Sequence, residues 1–421
     1  MERRKSSLEE TYVHGAHLVL VADGMADRPI PELEGRTPLE AARTPNMDLL
    51  ASHGEIGLVQ TTPAGFAPGS DVANLVILGY DPRKYYSGRG ALEAAGMEVS
   101  LNEGDVAFRC NLVTFRDKVK GYEFDRLSKT LLMEDHTAGG IDTDEARERI
   151  DLLNNLLGSD QIQFYTGKSY RHLMVWAHGV LKVECAPPHT LPGKEVFPAL
   201  PRGGDKGVLK KLIDSSIRIL SRHPINEERI SQGKRPANGV WFWGAGKEIE
   251  LPPFSSKYRK RGAVISAVDL VQGLGRKAGL TVIDVPGATG KIDTHYEGKV
   301  SATLKALEEN DLVYLHVEAP DEAGHAGDVQ MKIQAIEQFD EKIVGPFLSQ
   351  MKGGKPWQIL LLPDHATLVS TRDHAADPVP FLLCRGLNQR GGESGFTEKE
   401  AAKGKAIWSE GHRLMDHFLE G

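Results

Sequence analysis

The stretch Ala319–Asp328, APDEAGHAGD, follows the apolar run LVYLHV and sets Asp321 and His325 four residues apart among glycines and alanines. A helical turn there puts both side chains on one face, and Ala323 and Gly324 leave room for an ion to approach. Two other apolar runs end in the same way. LVLVAD delivers Asp23, QILLLPDH delivers Asp364 and His365, and His374 follows in TRDHAADPVPF. Carboxylate and imidazole ligands without thiolate suit Mn²⁺, Zn²⁺, Co²⁺ or Mg²⁺ in catalytic rather than structural use. Any one of these residues reads equally well as ordinary loop polarity; acids and histidines beyond three separate strands read better as one site. Ser70, in FAPGSDVANLVILGY, is either the cap of a helix or a hydroxyl at an anion-attracting helix N-terminus. In contact with a metal ion, such a hydroxyl is a nucleophile toward a phosphoryl group.

Elements that could hold these residues alternate along the chain. HLVLVADGM reads as a buried strand, TPLEAARTPNMDLLASHG as a helix with a proline start and a glycine stop, and SDVANLVILGYD as a capped helix. The pattern returns late: GAVISAVDLVQGLGRKAGLTVIDV as helix then strand, DLVYLHVEAPD as a strand, and DVQMKIQAIEQFDEKIVGPFLSQM as one long amphipathic helix. WQILLLPDH and PVPFLLCRG follow as strands, and EKEAAKGKAIWSEGHRLMDHFLEG closes the chain as a helix. Alternating β and α units imply a mostly parallel sheet covered on both faces, whose ligands collect beyond the carboxyl ends of the strands.

Between about residues 100 and 235 the texture changes. DVAFRCNLVTF, KVKGYEF, IQFYTG and SYRHLMVWAHG read as half-exposed strands, with helices near 143–157 and 205–222. This predicts an antiparallel α+β domain at 101–235, inserted into a discontinuous core of residues 1–100 and 236–421. Two glycine-rich stretches, GATGK and GLGRKAG, lack the context of a phosphate loop or a dinucleotide fold and read as structural.

A chain of 421 residues with formal charge −7 fits two domains and argues against general nucleic-acid binding. No apolar stretch approaches the roughly 20 residues needed to span a bilayer, and LVLVA is too short for a signal-peptide core. The three scattered cysteines suggest neither a disulfide framework nor a zinc knuckle, so a cytoplasmic location is expected.

VADGMADRP, PGSDVANLVILGYDP, VEAPDEAGHAGD and LPDHAT…RDHAADPVPF together resemble the archaeal-type, cofactor-independent phosphoglycerate mutases of the alkaline phosphatase superfamily. The four motifs fall in that family's order over nearly the whole chain. The resemblance implies an alkaline-phosphatase-like α/β core with an inserted, smaller α+β lid. It implies two divalent ions, Mn²⁺ first, with Co²⁺, Zn²⁺ or Mg²⁺ as the alternatives, and no 2,3-bisphosphoglycerate. One ion would be held by Asp23, Asp364, His365 and Ser70, the other by Asp321, His325 and His374. Ser70 would take a phosphoryl group and return it to another hydroxyl of the same phosphoglycerate. His136, in MEDHTAGGI, looks like the family's acid/base histidine, and Arg109, Arg171 and Lys168 are the candidates for binding phosphate or carboxylate. The resemblance leaves room for a homo-oligomer. Against this stand two other readings: a phosphotransferase or phosphatase acting on another small substrate, homoserine for instance, and a silent scaffold.

Overall fold

The computed structural model describes residues 15–204, 206–350, 356–387, 395–404 and 406–420; the basic start of the chain, read above for a leader, lies outside them up to residue 14. The chain divides into two compact units, Met1–Lys84 with Leu251–Gly421, and Tyr85–Glu250.

The first unit is built on an eight-stranded sheet. Its order is Ala406–Trp408, Glu55–Val59, Val379–Cys384, Trp357–Leu362, Ala16–Ala22, Leu312–Val317, Gly262–Ile265 and Thr281–Val282. Ala16–Ala22 lies in the middle and pairs in parallel with Leu312–Val317 on one side and Trp357–Leu362 on the other. Both faces of these strands are covered, which is why they read as unbroken apolar runs rather than alternating ones. Each fully buried Leu, Ile or Val here contributes about 1.5–3 kcal/mol relative to an exposed one. Register decides the function of this sheet. Ala22 sits opposite Val317, and Val21 sits opposite Leu362, so three parallel strands run out at one level. The residues that follow them, Asp23, Glu318 to Asp321, and Asp364 with His365, therefore emerge side by side.

The second unit is an antiparallel sheet. Val106–Asp117 pairs with Leu131–Asp135, Arg171–Trp176 and Gly239–Lys247, and Ile162–Tyr165 adds to Arg171–Trp176. Helices Thr143–Leu157 and Lys206–Leu220 belong to the same unit. The expected boundaries at 100/101 and 235/236 need correcting to 84/85 and 250/251. Gly239–Lys247 is hydrogen-bonded along Val106–Asp117. Helix Arg89–Gly96 lies so close to that pair that a Cβ on Gly90 would meet the Ala107 carbonyl oxygen. Both flanks are thus tied to the second unit.

Several local expectations are also revised. Pro45 opens a second helix, so the first helical region is Pro38–Ala41 followed by Pro45–His53. KVKGYEF forms a turn, and Val106–Asp117 is buried rather than half-exposed. The stretch from residue 262 begins with a strand, Gly262–Ile265, ahead of the helix. The long helix from Val329 carries a π-turn at Asp340–Val344. The C-terminal segment comprises the short helices Glu398–Lys403 and Leu414–Leu419 with strand Ala406–Trp408 between them. No helix among the described residues is long and apolar enough to cross a membrane.

One buried charge ties the strand ends together. Lys332 Nζ donates to Asp27 Oδ2 (2.9 Å), Ala26 O (3.1 Å) and Thr367 O (2.6 Å), with both side chains of the ion pair shut off from solvent. Removing one partner leaves an uncompensated buried charge. Lys332→Met is expected to lower the stability measured by urea unfolding by about 3–5 kcal/mol. Asp27→Asn in the same chain should restore part of that loss; a double variant as unstable as the sum of the singles would show that the pair does not act as a unit.

Candidate metal centre

Asp23 follows the central strand, and Gly24 after it takes φ 63°. A side chain at Gly24 would meet Thr367 Oγ1 and Asp321, so only glycine lets the Asp23 turn pass this close to its neighbours. Ala319–Ala326 is a helix with Pro320 in its first turn and Gly327 beyond its end at φ 72°. It puts Asp321 and His325 on one face, with His325 Nε2 3.4 Å from Asp321 Oδ2. Gly324 faces Thr367 at a distance no Cβ would tolerate. The short hairpin Ala366–Leu368 with Asp373–Ala375 carries His374 back, so that His374 Nε2 lies 3.5 Å from Asp321 Oδ1 and 2.9 Å from His325 Nε2. His365 Nε2 lies 3.5 Å from both Asp23 Oδ1 and Asp364 Oδ2, and 3.1 Å from Ser70 Oγ. Ser70 is the first residue of helix Ser70–Ile77 and Gly69 is its N-cap, so its hydroxyl is free of the capping role.

Three overlapping triads have ligand atoms within 4.8 Å of one another: Asp321/His325/His374, Asp23/Asp321/His365 and Asp23/His316/Asp364. Six of the seven predicted ligand residues fall in these triads, Ser70 joins them through His365, and all seven lie in the first unit. Their protonation patterns suit cations. His325 Nδ1 faces the Arg372 carbonyl (3.0 Å), which can only accept, so one proton stays on Nδ1 and Nε2, on losing its own, is the nitrogen that ligates. Thr367 Oγ1 donates to Asp321 Oδ1 and is left to accept from His365 Nδ1 (3.2 Å), which bares His365 Nε2 as well. Asp23 Oδ1, although buried, has no hydrogen bond. Lone pairs facing one another, with an unsatisfied carboxylate oxygen, fit divalent cations held by oxygen and imidazole nitrogen.

Electrostatics agree. Burial, with Asp364 and Asp321 alongside, pushes the Asp23 carboxyl well above the usual range. Burial also pushes Asp321 up, but His325 and His374 outweigh it and hold that carboxyl well below. Burial lowers His365 to about 4, keeping the ring neutral. His325 goes the other way, to about 9, because Asp321 overrides burial.

The substrate-binding and acid/base candidates lie in the second unit. His136 follows strand Leu131–Asp135; its ring is 6.1 Å from Tyr170 and 6.4 Å from His189. The Arg171 guanidinium stacks 5.2 Å from the Tyr170 ring. Arg109 is buried in an ion pair with Glu93, and it and Arg89 each lie 5.3 Å from the Trp243 ring, which His189 approaches at 5.5 Å. Lys168 lies in the loop leading to Arg171. In the same unit Asn238 bonds the backbone of Phe115 on both sides and is structural. Lys257 Nζ bonds the Gly79 carbonyl and the Tyr258 hydroxyl.

Sequence reading missed Asn74, Tyr314, His316 and Thr367. Asn74 Nδ2 donates to Asp364 Oδ2 and to the Ser70 carbonyl (2.8 Å each), and Tyr314 donates to Asn74 Oδ1. The available signal was spacing: Asn74 is four residues past Ser70, and Tyr314 and His316 share one face of an otherwise apolar strand.

Parallel strands ending together on carboxylates and imidazoles, beside a serine at a helix N-terminus, define an α/β protein with a candidate cation centre. Residues 51–226 match the family model described as 2,3-bisphosphoglycerate-independent phosphoglycerate mutase. The chain is 49% identical over 391 residues to the 2,3-bisphosphoglycerate-independent phosphoglycerate mutase of Methanosarcina barkeri, covering 92% of this chain and 95% of that one. Among solved structures it resembles a Pyrococcus horikoshii protein (TM-score 0.76, 30% identity, 97% of each chain). It also resembles the cofactor-independent phosphoglycerate mutase of Thermoplasma acidophilum (TM-score 0.59, 28% identity, 96% of this chain and 99% of that one). The chain belongs to the family of 2,3-bisphosphoglycerate-independent phosphoglycerate mutases.

The His325 shift predicts a pH dependence. Its folded value, about 9, lies above the ordinary value near 6.5. Its contribution to the metal-free protein is therefore complete below about pH 6.5 and is lost as pH rises through about 9. A cation must displace that proton, so calorimetry at pH 7.5 in buffers of different ionisation enthalpy should show at least one proton released per chain on Mn²⁺ binding. Buffer-independent heats would contradict the assignment.

Proposed function

We propose that the chain interconverts 3-phosphoglycerate and 2-phosphoglycerate without 2,3-bisphosphoglycerate, through a phosphoserine at Ser70, in a centre for two divalent cations of which Mn²⁺ is the first candidate. The observation that carries this reading is Ser70 Oγ beside His365 Nε2, at the start of a helix and next to the three overlapping ligand triads, in a chain of this family. Bound divalent cations would stabilise charge on the entering and departing oxygens and favour the alkoxide form of the serine.

In the first half-reaction Ser70 Oγ loses its proton and attacks phosphorus. The Oγ–P bond forms, the bond from O3 of glycerate to phosphorus breaks, and O3 takes up a proton. In the second half O2 of the glycerate loses its proton and attacks the phosphoserine: the O2–P bond forms, the Oγ–P bond breaks, and Oγ takes up a proton, which restores Ser70. The positive end of the dipole of helix Ser70–Ile77 favours the phosphoryl oxygens. Asn74 holds both the Ser70 backbone and Asp364, so nucleophile and ligand are fixed by one side chain. His136 is assigned the proton transfers at the glycerate hydroxyls, and Arg171, Arg109 and Lys168 the charges of the substrate.

The test uses protein stripped of metal, reloaded with Mn²⁺, and given 3-phosphoglycerate alone with an enolase-coupled readout. Turnover supports the reading; phosphate release without 2-phosphoglycerate would replace it with a phosphatase. Ser70→Ala is expected to lower kcat by roughly 10⁴-fold or more while cations still bind. His136→Ala is expected to lower kcat by about 10²–10⁴-fold with Mn²⁺ affinity unchanged, and an unaltered rate would remove it from the proton transfers.

A further inference from the structure

His316 is fully buried in strand Leu312–Val317, and its Nε2 lies 3.2 Å from Asp23 Oδ2. It has the spacing of a ligand and belongs to one of the three triads. Its other nitrogen argues for a different role. His316 Nδ1 is 3.3 Å from Ser266 Oγ, and that oxygen already accepts the Val268 N–H at 3.0 Å. The Ser266 hydroxyl proton is buried, and leaving it unpaired is costly, so it is directed to His316 Nδ1. Nδ1 then accepts, and the ring proton resides on Nε2. This is the reverse of His325 and His365, whose Nδ1 atoms donate outward and whose Nε2 atoms face the site.

We propose that His316 is a positioning residue for the metal centre: a neutral imidazole whose Nε2–H holds Asp23 Oδ2 and turns Oδ1 toward the cation. Asp23 is arranged for this division. Oδ2 faces His316, whereas Oδ1 is without a hydrogen bond and faces His365 Nε2 at 3.5 Å. His316 Nε2 makes no hydrogen bond in this structure, so the contact becomes one through a modest turn of the Asp23 carboxylate. The backbone is secured too. Lys299, completely buried, donates from Nζ to the His316 carbonyl at 3.1 Å. On the same strand face, Tyr314 supports Asp364 and Ser70 through Asn74. One strand face thereby orients both aspartates that flank His365.

The inference rests on the reading of the site as a cation centre, and its probe is Mn²⁺ alone, so a failed mutase assay would leave it testable. Mn²⁺ is titrated into metal-free protein by calorimetry, and the visible spectrum of the Co²⁺-loaded protein is recorded. His316→Leu is expected to keep the stoichiometry but weaken one ion about 10–100-fold. His316→Gln, whose amide supplies an N–H, is expected to restore affinity to within a few-fold and leave the cobalt spectrum unchanged. Ser266→Ala, a smaller change, is expected to weaken the same ion several-fold. Wild-type affinity in folded His316→Leu overturns the proposal. Loss of one ion or an altered cobalt spectrum in His316→Gln overturns it in favour of direct ligation. Should His316→Leu fail to fold, wild-type affinity in Ser266→Ala overturns the hydroxyl-directed orientation of the ring.

Discussion

Three carboxylates, Asp23, Asp321 and Asp364, are buried within each other's reach, and that crowding is the constraint around which the first unit is organised. Like charges at such separations repel strongly when water is excluded. Without a cation, burial and this repulsion push the Asp23 carboxyl up, whereas His325 and His374 hold Asp321 down. The arrangement makes sense as a receptacle for positive charge. Its scaffold matches: parallel strands that stop together, glycines where backbone and side chains nearly touch, and a buried lysine that staples the turns behind the centre.

The histidines show how a few hydrogen bonds divide labour among identical side chains. A carbonyl behind His325 and a threonine hydroxyl behind His365 each draw the proton to Nδ1, whereas a serine hydroxyl behind His316 sends it to Nε2. Thr367 links the two halves of the centre, because its oxygen serves His365 while its proton goes to Asp321. Such links make the ligands a single network, and their contributions are not additive.

Much of the candidate centre was legible in the sequence because residues placed by strand ends sit where apolar runs break off. Asp23, Asp321, Asp364 and His365 each follow an unmistakable strand, and the four-residue step to His325 is a helical period. Supports inside the elements were not legible. Asn74 lies mid-helix and His316 mid-strand, where polarity alone does not distinguish a solvent face from a packed one; only register shows what they meet. The unit boundary was misjudged for a related reason. The strand Gly239–Lys247 has the same aromatic, apolar texture as the sheet of the first unit, and its partner lies more than a hundred residues earlier. Short helices separated by Pro45, and the strand hidden in the C-terminal segment, were lost because each spans too few repeats of its period to stand out.

The central strand has a cost in time. His17 pairs with Leu312 on one side and Gln358 on the other, so both neighbours are made about 300 residues after it. At typical synthesis rates of about 5–20 residues per second, this buried strand waits roughly 15–60 s on the ribosome without a partner. The intervening antiparallel unit, whose strands pair mostly among themselves, can fold during that delay. A nascent chain of this design therefore has reason to need a chaperone at its beginning rather than its end.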